Sequence, residues 1–436
     1  MHIYQQIKQN RLFSAIYILG SALSIASAMI VVVYLYVKLA NIYPERDRTH
    51  IYEISECQLK EGNAYDGHQL GWYLCQLLEE ALESSEGVTD YSRGSGTFVL
   101  KVYPDDGNIP FEILTNWVDS GFFKLYNFEI LAGKFFSKDD VESGVAKIVI
   151  SDRLAVRLYG SVDDAVDKSI KIHNKDYKVC GVVREPSFLM QNSFGQAYIP
   201  IKVVPDNEWE ASRSRIFGAY NIKVRVADDA AVKQLVETVN DVMSRVDKSE
   251  LKVFKTTEDV KLEDIELIGN VYSLSSKDFD MLAEFDWGKL LSQYGFAILV
   301  LLIVPAVNLG GMIAGNMERR MPEMGVRKSF GAYRRKLLRS ILVENFVLTS
   351  IGAVIGLVIA VVLVWGWKDW LFFLDDSIMA DAPESVSVFI TSDMLFAPVV
   401  FICAFLITFL LNLLAAMLPV WWSLRNPIVK SLSEKK

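Results

Sequence analysis

Residues 318–339 (ERRMPEMGVRKSFGAYRRKLLR) hold the densest run of positive charge on this chain. Eight cations, Arg319, Arg320, Arg327, Lys328, Arg334, Arg335, Lys336 and Arg339, stand against Glu318 and Glu323 alone. The chemistry such a run can do is recognition: it grips anionic lipid headgroups or a soluble protein partner. Lipid binding uses only the net charge and leaves Pro322, Glu323, Gly325 and Gly331 unexplained. Pro322 suits the first turn of a helix, where its missing N–H costs nothing. Glu323 then lies near the positive end of the helix dipole, and Gly331 provides a stop. From Tyr333 a second helix can begin. The spacing predicts a short helix, a bend and a restart, a shape suited to docking on a partner.

Other chemistry finds little support. No Walker A pattern occurs, so ATP binding through a P-loop is not expected. The four histidines, His2, His50, His68 and His173, lack metal-ligand spacing, and the four cysteines form no CxxC pair. Cys57 and Cys75 are the nearest pair outside the apolar runs and read as buried thiols rather than a disulfide. No catalytic residue, metal or directly bound cofactor is expected. Glu344 is the misplaced titratable group: it lies about one turn inside an apolar run, where a charge costs up to ~3 kcal/mol. It either transmits motion to membrane helices or pairs with Arg339, Lys336 or a neighbouring helix.

Membrane helices must position these residues. Half of the chain is hydrophobic and 22% is charged, a mixture that fits membrane spans plus a large aqueous domain. A bilayer core needs roughly 20 helical residues. Four runs meet that length: 12–37, 290–313, 341–367 and 395–422. Positive loops resist translocation. The segments 1–11, 314–340 and 423–436 together carry fourteen Lys/Arg and three acids, whereas 368–394 carries one Lys and six acids. Both termini are therefore expected in the cytoplasm, and the net charge of −8 belongs to the outer side. The Ala26-Ser27-Ala28 triplet could pass for a signal cleavage site. Apolar sequence runs on to Val37, however, which predicts an uncleaved anchor.

Small residues recur at four-residue spacing: Gly20/Ser24/Ala28, Gly311/Gly315 and Gly352/Gly356/Ala360. Such stripes allow close helix contact, within one chain or between two. Pro305, Asn308, Pro398 and Asn412 interrupt the second and fourth runs, but no cluster of charges there could bind a hydrophilic solute.

Residues 38–289 read as an α+β domain inserted between the first two membrane helices. Strand-like runs occur at 51–55, 97–103, 109–118, 147–150, 169–172, 177–183 and 219–226. Leu70, Tyr73, Leu74, Leu77 and Leu78 mark a helix over 69–82, and Val232, Leu235, Val236 and Val239 mark another over 230–246. With strands at 219–226 and 251–255, the second helix forms a βαβ-type unit. The word 152–159 ends at Gly160, a helix stop. A helix entering the second run from about 278 to 316 would be about 58 Å long, beyond the ~30 Å core, and would rise as a stalk.

These features together resemble the MacB/FtsX-type permease subunits of ABC transporters. The family's word after its second span is matched by Arg319 to Ala332, through Glu323-Met324-Gly325-Val326-Arg327-Lys328, with Ser329 in place of the usual Ala. Val343-Glu344 and Gly352/Gly356 match the start of its third span, and Pro419 and Asn426-Pro427 its C-terminus. In the outer domain, Gly133-Lys134-Phe135-Phe136, Ala155 to Gly160 and Tyr177 to Val183 match the family's recurrent words in order. Val166-Asp167-Lys168 departs from the usual Ile-Gly-Lys.

The resemblance implies a multi-pass protein of the bacterial inner membrane: four transmembrane helices plus the α+β extracytoplasmic domain. It further implies that Arg319, Arg320, Glu323, Gly325, Arg327, Lys328 and Gly331 dock on a separate cytoplasmic ABC ATPase, which binds the ATP. Glu344, Gly352, Gly356, Gly20 and Ser24 would serve transmission or packing. A second permease copy or paralogue, membrane lipids and a periplasmic adaptor are the further partners implied; nucleic acid is not. The expected activity is export of a peptide, lipopeptide, lipoprotein or drug by movement of the outer domain. The alternative is an FtsX-like mechanotransmitter that regulates a cell-wall hydrolase.

Overall fold

The computed structural model describes residues 11–61, 64–104, 109–173, 175–203, 215–247, 265–277, 334–368, 383–386, 388–391 and 401–411, and single positions 249, 288, 292, 296, 300, 303, 394, 399 and 414. The chain divides into two units. Met1–Val37, Trp287–Leu374 and Ile390–Lys436 form one, and Lys38–Asp286 with Asp375–Phe389 form the other. The short segment Asp375–Phe389 thus belongs with the outer domain, although the chain on either side of it belongs to the membrane unit.

The first helix, Arg11–Leu39 (α1), includes the expected run 12–37. Its apolar stretch Ser14–Leu39 has 26 residues. At 1.5 Å per residue that is about 39 Å, longer than the ~30 Å hydrocarbon core.

Beyond α1 the outer domain has two halves. In the first, strands Ile51–Glu61 (β1), Val88–Tyr103 (β3), Asn221–Val226 (β10) and Ile265–Ser273 (β11) lie in the order β11-β1-β10-β3, every neighbour antiparallel. Helix Trp72–Glu83 (α2) connects β1 towards β3, and helix Asp229–Arg245 (α4, the fourth long helix in the chain) follows β10. Each helix therefore joins two parallel strands with a third between them. Two such split βαβ units make the ferredoxin-like arrangement. The expected βαβ unit around 230–246 is of this split form, with β1 between its strands; 251–255 lies outside the described residues. Strand Ala64–Gln69 (β2) extends β1 on one side.

The helices form because their apolar residues recur every three or four positions. Leu74, Leu78 and Leu82 of α2 and Leu235, Val239 and Met243 of α4 are buried in one core with Ile54, Cys57 and Val224 of the sheet. Each fully buried Leu or Val contributes roughly 1.5–3 kcal/mol. Asp228 caps α4 by accepting from Ala231 N at 3.0 Å, which satisfies one free amide of the first turn.

The second half is inserted between β3 and β10. Its strands are Phe111–Val118 (β4), Ile130–Gly133 (β5), Lys147–Ser151 (β6), Ser169–Ile172 (β7), Lys175–Val183 (β8) and Ala197–Pro200 (β9). Pairing runs β3-β4-β9-β6-β8, and β7 pairs with both β8 and β3, so six strands close into a ring. Ring closure leaves those strands no open edge. Val102, Ile113, Ile148, Ile150, Val179 and Ile199 fill its interior. Helix Asp152–Tyr159 (α3) starts on Ser151, whose Oγ accepts from Leu154 N, and ends on Gly160 at φ 83°. That left-handed conformation is the one a glycine tolerates without Cβ strain.

β3 serves both halves. It pairs with β10 up to Gly94 and with β4 at Gly94 and again from Thr97 onward, with a register shift between the two. Gly96 stands at φ 64° in this bulge, which bends the strand from one core to the other.

In the membrane unit, Arg334–Gly366 (α5) is a 33-residue helix with an apolar stretch over Phe346–Gly366. The expected restart at Tyr333 lies outside the described residues. Among the described residues, α1 and α5 are long and apolar enough to cross a membrane, and Phe401–Leu411 (α6) is a shorter apolar helix. Of the expected run 290–313, Ser292, Phe296, Val300 and Ile303 are described; all are helical and exposed, about one turn apart along one face. Gly288, a turn earlier, is also helical.

Candidate transmission site

Where the chain leaves α1, the segment 43–48 enters the outer domain and buries charge. Glu45 is 0% and Arg48 1% exposed, and Glu53 and Lys223 are buried beside them. Burying unpaired charge is prohibitively costly, so each needs a partner. Arg48 Nε lies 3.4 Å from Glu45 Oε2 and donates to the carbonyl of Leu274 at 3.0 Å. Glu45 Oε1 accepts from Ser193 Oγ at 2.9 Å. Lys223 Nζ donates to Asn192 O at 2.8 Å and lies over the rings of Phe122 and Tyr126, 5.7 and 5.5 Å from their centroids. The Tyr126 phenol is held well above its ordinary pKa, by burial first and then by Glu45 and Glu53, with Arg48 opposing.

Sequence distance shows what this arrangement joins. Arg48 stands nine residues after the end of α1, and Leu274 follows β11, where the chain heads back towards 288–303. One guanidinium therefore ties together the two ends of the domain's chain. Beneath it lies an aromatic floor, Phe122, Phe123, Tyr126, Phe128, Phe136 and Tyr198, packed with Ile51 and Leu274. Tyr43 adds a second tether: its hydroxyl donates to Arg184 O at 2.9 Å and accepts from Glu129 N at 3.3 Å. Burial pushes that phenol up to about 12. Arg225 completes the base, pairing through Nε with Asp47 Oδ2 at 3.2 Å and through Nη1 with Asp90 Oδ2 at 3.4 Å.

Among the sequence-predicted residues, Gly352 and Gly356 are buried on α5 against α1. A Cβ at Gly352 would meet Ser21 Oγ at 2.0 Å, and one at Gly356 would meet the carbonyl oxygen of Ala22 at 2.6 Å. Tyr17 OH and Thr349 Oγ1 are 3.4 Å apart across the same contact. The α5 stripe thus serves contact inside one chain. Ser24 is buried on α1 and Gly20 half-buried. On its other side, α5 meets α6 through Phe346, edge-on to Phe409 at 5.5 Å. Glu344 lies on the helical backbone of α5; its side chain is outside the described residues. Arg319, Arg320, Glu323, Gly325, Arg327, Lys328 and Gly331 also lie outside them.

Cys57 and Cys75 are both free and buried. Burial raises both thiols, that of Cys57 to about 12. Among the described residues no group of His, Cys, Asp and Glu could hold a metal ion.

The sequence reading missed the buried base. Glu45 and Arg48 are spaced i, i+3, a pattern that surface helices also show. Their burial comes from β10, β11 and the loop after β8, all distant in sequence.

An α+β domain inserted in sequence between apolar helices defines a membrane protein with a large aqueous part. Residues 14–242, over half of the chain, match the MacB-like periplasmic core domain, and residues 295–428 match the FtsX-like permease C-terminal domain. The chain belongs to the MacB/FtsX-type permease family of ABC transporters, which is membrane-embedded. It is 24% identical over 261 residues to the pyoverdine export ATP-binding/permease protein PvdT of Pseudomonas fluorescens, covering 59% of this chain and 36% of that protein. It is 22% identical over 281 residues to the ABC transporter permease YknZ of Bacillus subtilis, covering 64% and 63%. The chain thus spans well under two thirds of the length of the PvdT relatives it matches. The solved periplasmic region of MacB from Actinobacillus actinomycetemcomitans aligns with 52% of this chain and 91% of its own at 14% identity, TM-score 0.34. The extracellular domain of YknZ aligns with 50% and 98% at 15% identity, TM-score 0.33.

Proposed function

We propose that this chain is the permease subunit of a MacB-type ABC exporter. ATP is bound and hydrolysed by a cytoplasmic ATPase on another chain, which docks on 319–331. The permease lies in a bacterial inner membrane with four spans and both termini cytoplasmic, and pairs with a second permease. Motion of the helices reaches the outer domain, which expels a peptide, lipopeptide, lipoprotein or drug, with or without a periplasmic adaptor.

The observation that carries this reading is the buried base. Arg48, nine residues after α1, bonds to Leu274 at the other end of the domain's chain, so a pull on either end acts on one buried point. A domain held only by flexible linkers would absorb such motion. The FtsX-like alternative shares this mechanics and differs in the final step, the activation of a hydrolase.

Purification of the chain with its ATPase tests the docking. Charge reversal, Arg327→Glu with Lys328→Glu, is expected to abolish co-purification while membrane insertion stays normal. An inserted reversal variant that still binds and stimulates the ATPase would overturn the coupling role. Efflux assays beside hydrolase pull-downs separate exporter from regulator.

A further inference from the structure

The loop between β8 and β9, residues 184–196, already holds the exit of α1 through Arg184 O on Tyr43 and Ser193 on Glu45. The same loop also holds Ser385 and Phe389, from the stretch that lies between α5 and α6 in sequence. Ser187 Oγ donates to Phe389 O at 2.6 Å. Gln196 Nε2 donates to Ser385 O, and Ser385 Oγ returns a bond to Gln196 Oε1, each at 3.1 Å. Gln196 Oε1 also accepts from Leu114 N at 3.0 Å, so one carboxamide joins the segment to the ring of strands. The Arg153 guanidinium lies 4.1 Å above the Phe389 ring. Arg153 is in turn 4.0 Å from the buried carboxylate of Glu185, which accepts from Ser151 Oγ at 2.7 Å. Pro383 and Val388 are buried.

A loop that merely connects two membrane helices needs only polar residues and freedom. This one is fixed by side-chain-specific bonds, a cation over an aromatic face and buried apolar residues. Its neighbours in sequence, up to Leu374 and from Ile390, belong to the membrane unit. Phe389, bonded by Ser187, is the residue directly before the membrane unit resumes at Ile390.

We propose that loop 184–196, with Arg153, is a docking site for the chain's own 383–389 segment, and that it relays movement of the helix that follows, α6, to the outer domain. Loop 184–196 thereby joins that pull to the pull of the first helix. The proposal rests on the transport reading above, and its test keeps the two apart.

The test uses the full permease with its ATPase in lipid nanodiscs, followed by hydrogen exchange with and without ATP. In the unmodified complex, ATP is expected to change exchange in 184–196 and 43–48. Phe389→Ala with Gln196→Ala should leave ATPase binding and hydrolysis in place. It should reduce the ATP-dependent change in the outer domain by about fivefold or more, the size of a typical lost coupling. Phe389→Leu and Ser187→Ala are milder variants for use if the double variant fails to fold, and each should give a partial loss. A folded variant with faster exchange at 383–389 but an intact ATP-dependent change elsewhere would overturn the relay, leaving a static latch. An unmodified complex that binds the ATPase but shows no ATP-dependent change would overturn the transport reading and the relay with it.

Discussion

Two contacts in this molecule hold together by opposite means. Between α1 and α5 the contact is made by leaving atoms out, since Gly352 and Gly356 bring backbone against Ser21 and Ala22. At the base of the outer domain it is made by burying full charges, Glu45, Arg48, Glu53 and Lys223. The solvent explains the difference. Lipid tails are as apolar as leucine, so helices there gain little from burying larger side chains and associate through close packing. In water, apolar burial is abundant and non-directional, and both halves of the outer domain use it in their cores. Buried ion pairs add little net stability, but they tolerate one geometry only. Chain ends that must stay in one arrangement gain from that intolerance.

The comparison breaks first at Arg48. Arg48→Met should strand the buried carboxylate of Glu45 and destabilise the outer domain by roughly 3–5 kcal/mol, read by thermal or chemical unfolding. Adding Glu45→Leu should recover part of that loss. If the pair of changes is worse than Arg48→Met alone, the base is held by shape rather than charge.

Next come the two glycines, which separate hard from soft contact. Gly356→Ala drives a methyl into the Ala22 carbonyl and should cost about 1–3 kcal/mol in detergent unfolding, with no rescue from side-chain changes on α1. Gly352→Ala meets the Ser21 hydroxyl first, so Ser21→Ala should restore part of its loss. Equal behaviour of the two would refute the assignment of backbone contact to Gly356.

A smaller effect concerns pH. Burial raises the Glu185 carboxyl above its ordinary range, against the Ser151 hydrogen bond and the Arg153 charge. The folded chain therefore holds this proton more tightly than the unfolded chain. Stability from this group is present at low pH and is lost as pH rises from about 4 through the raised folded value. Glu185→Gln should flatten that part of the stability profile. An unchanged profile would mean that Glu185 ionises freely in the fold.

Least visible is the chemistry of the outer core. Cys57 and Cys75, buried and with raised thiol pKa values, should react with maleimide only as fast as their half of the domain opens. Arg48→Met should speed that labelling. Fast labelling of the unaltered protein would place the thiols at the surface.

How much of this was legible in the sequence follows from where each signal is stored. Helices α2 and α4 and most strands announce themselves through local period. Strand β11 does not, because Gly269-Asn270 interrupts its apolar run, and the four-residue β9 is too short to show alternation. The stripe of Gly352 and Gly356 predicts close contact but not the partner, which only the fold supplies. Segment 383–389 read as part of an acidic loop. The acids set its side of the membrane, while Ser385, Val388 and Phe389, which carry no charge, decide where it docks.

Strands β4 to β9 are inserted between the second and third strands of the ferredoxin-like half, and they close a ring by borrowing β3 from it. The insertion carries loop 184–196, whose bonds reach back to Tyr43, Glu45 and Lys223 outside it. Its outer surface can diversify while that loop is held to its partners. Across homologues, changes at 43, 45, 193 and 223 should arrive together, a signature of co-evolution.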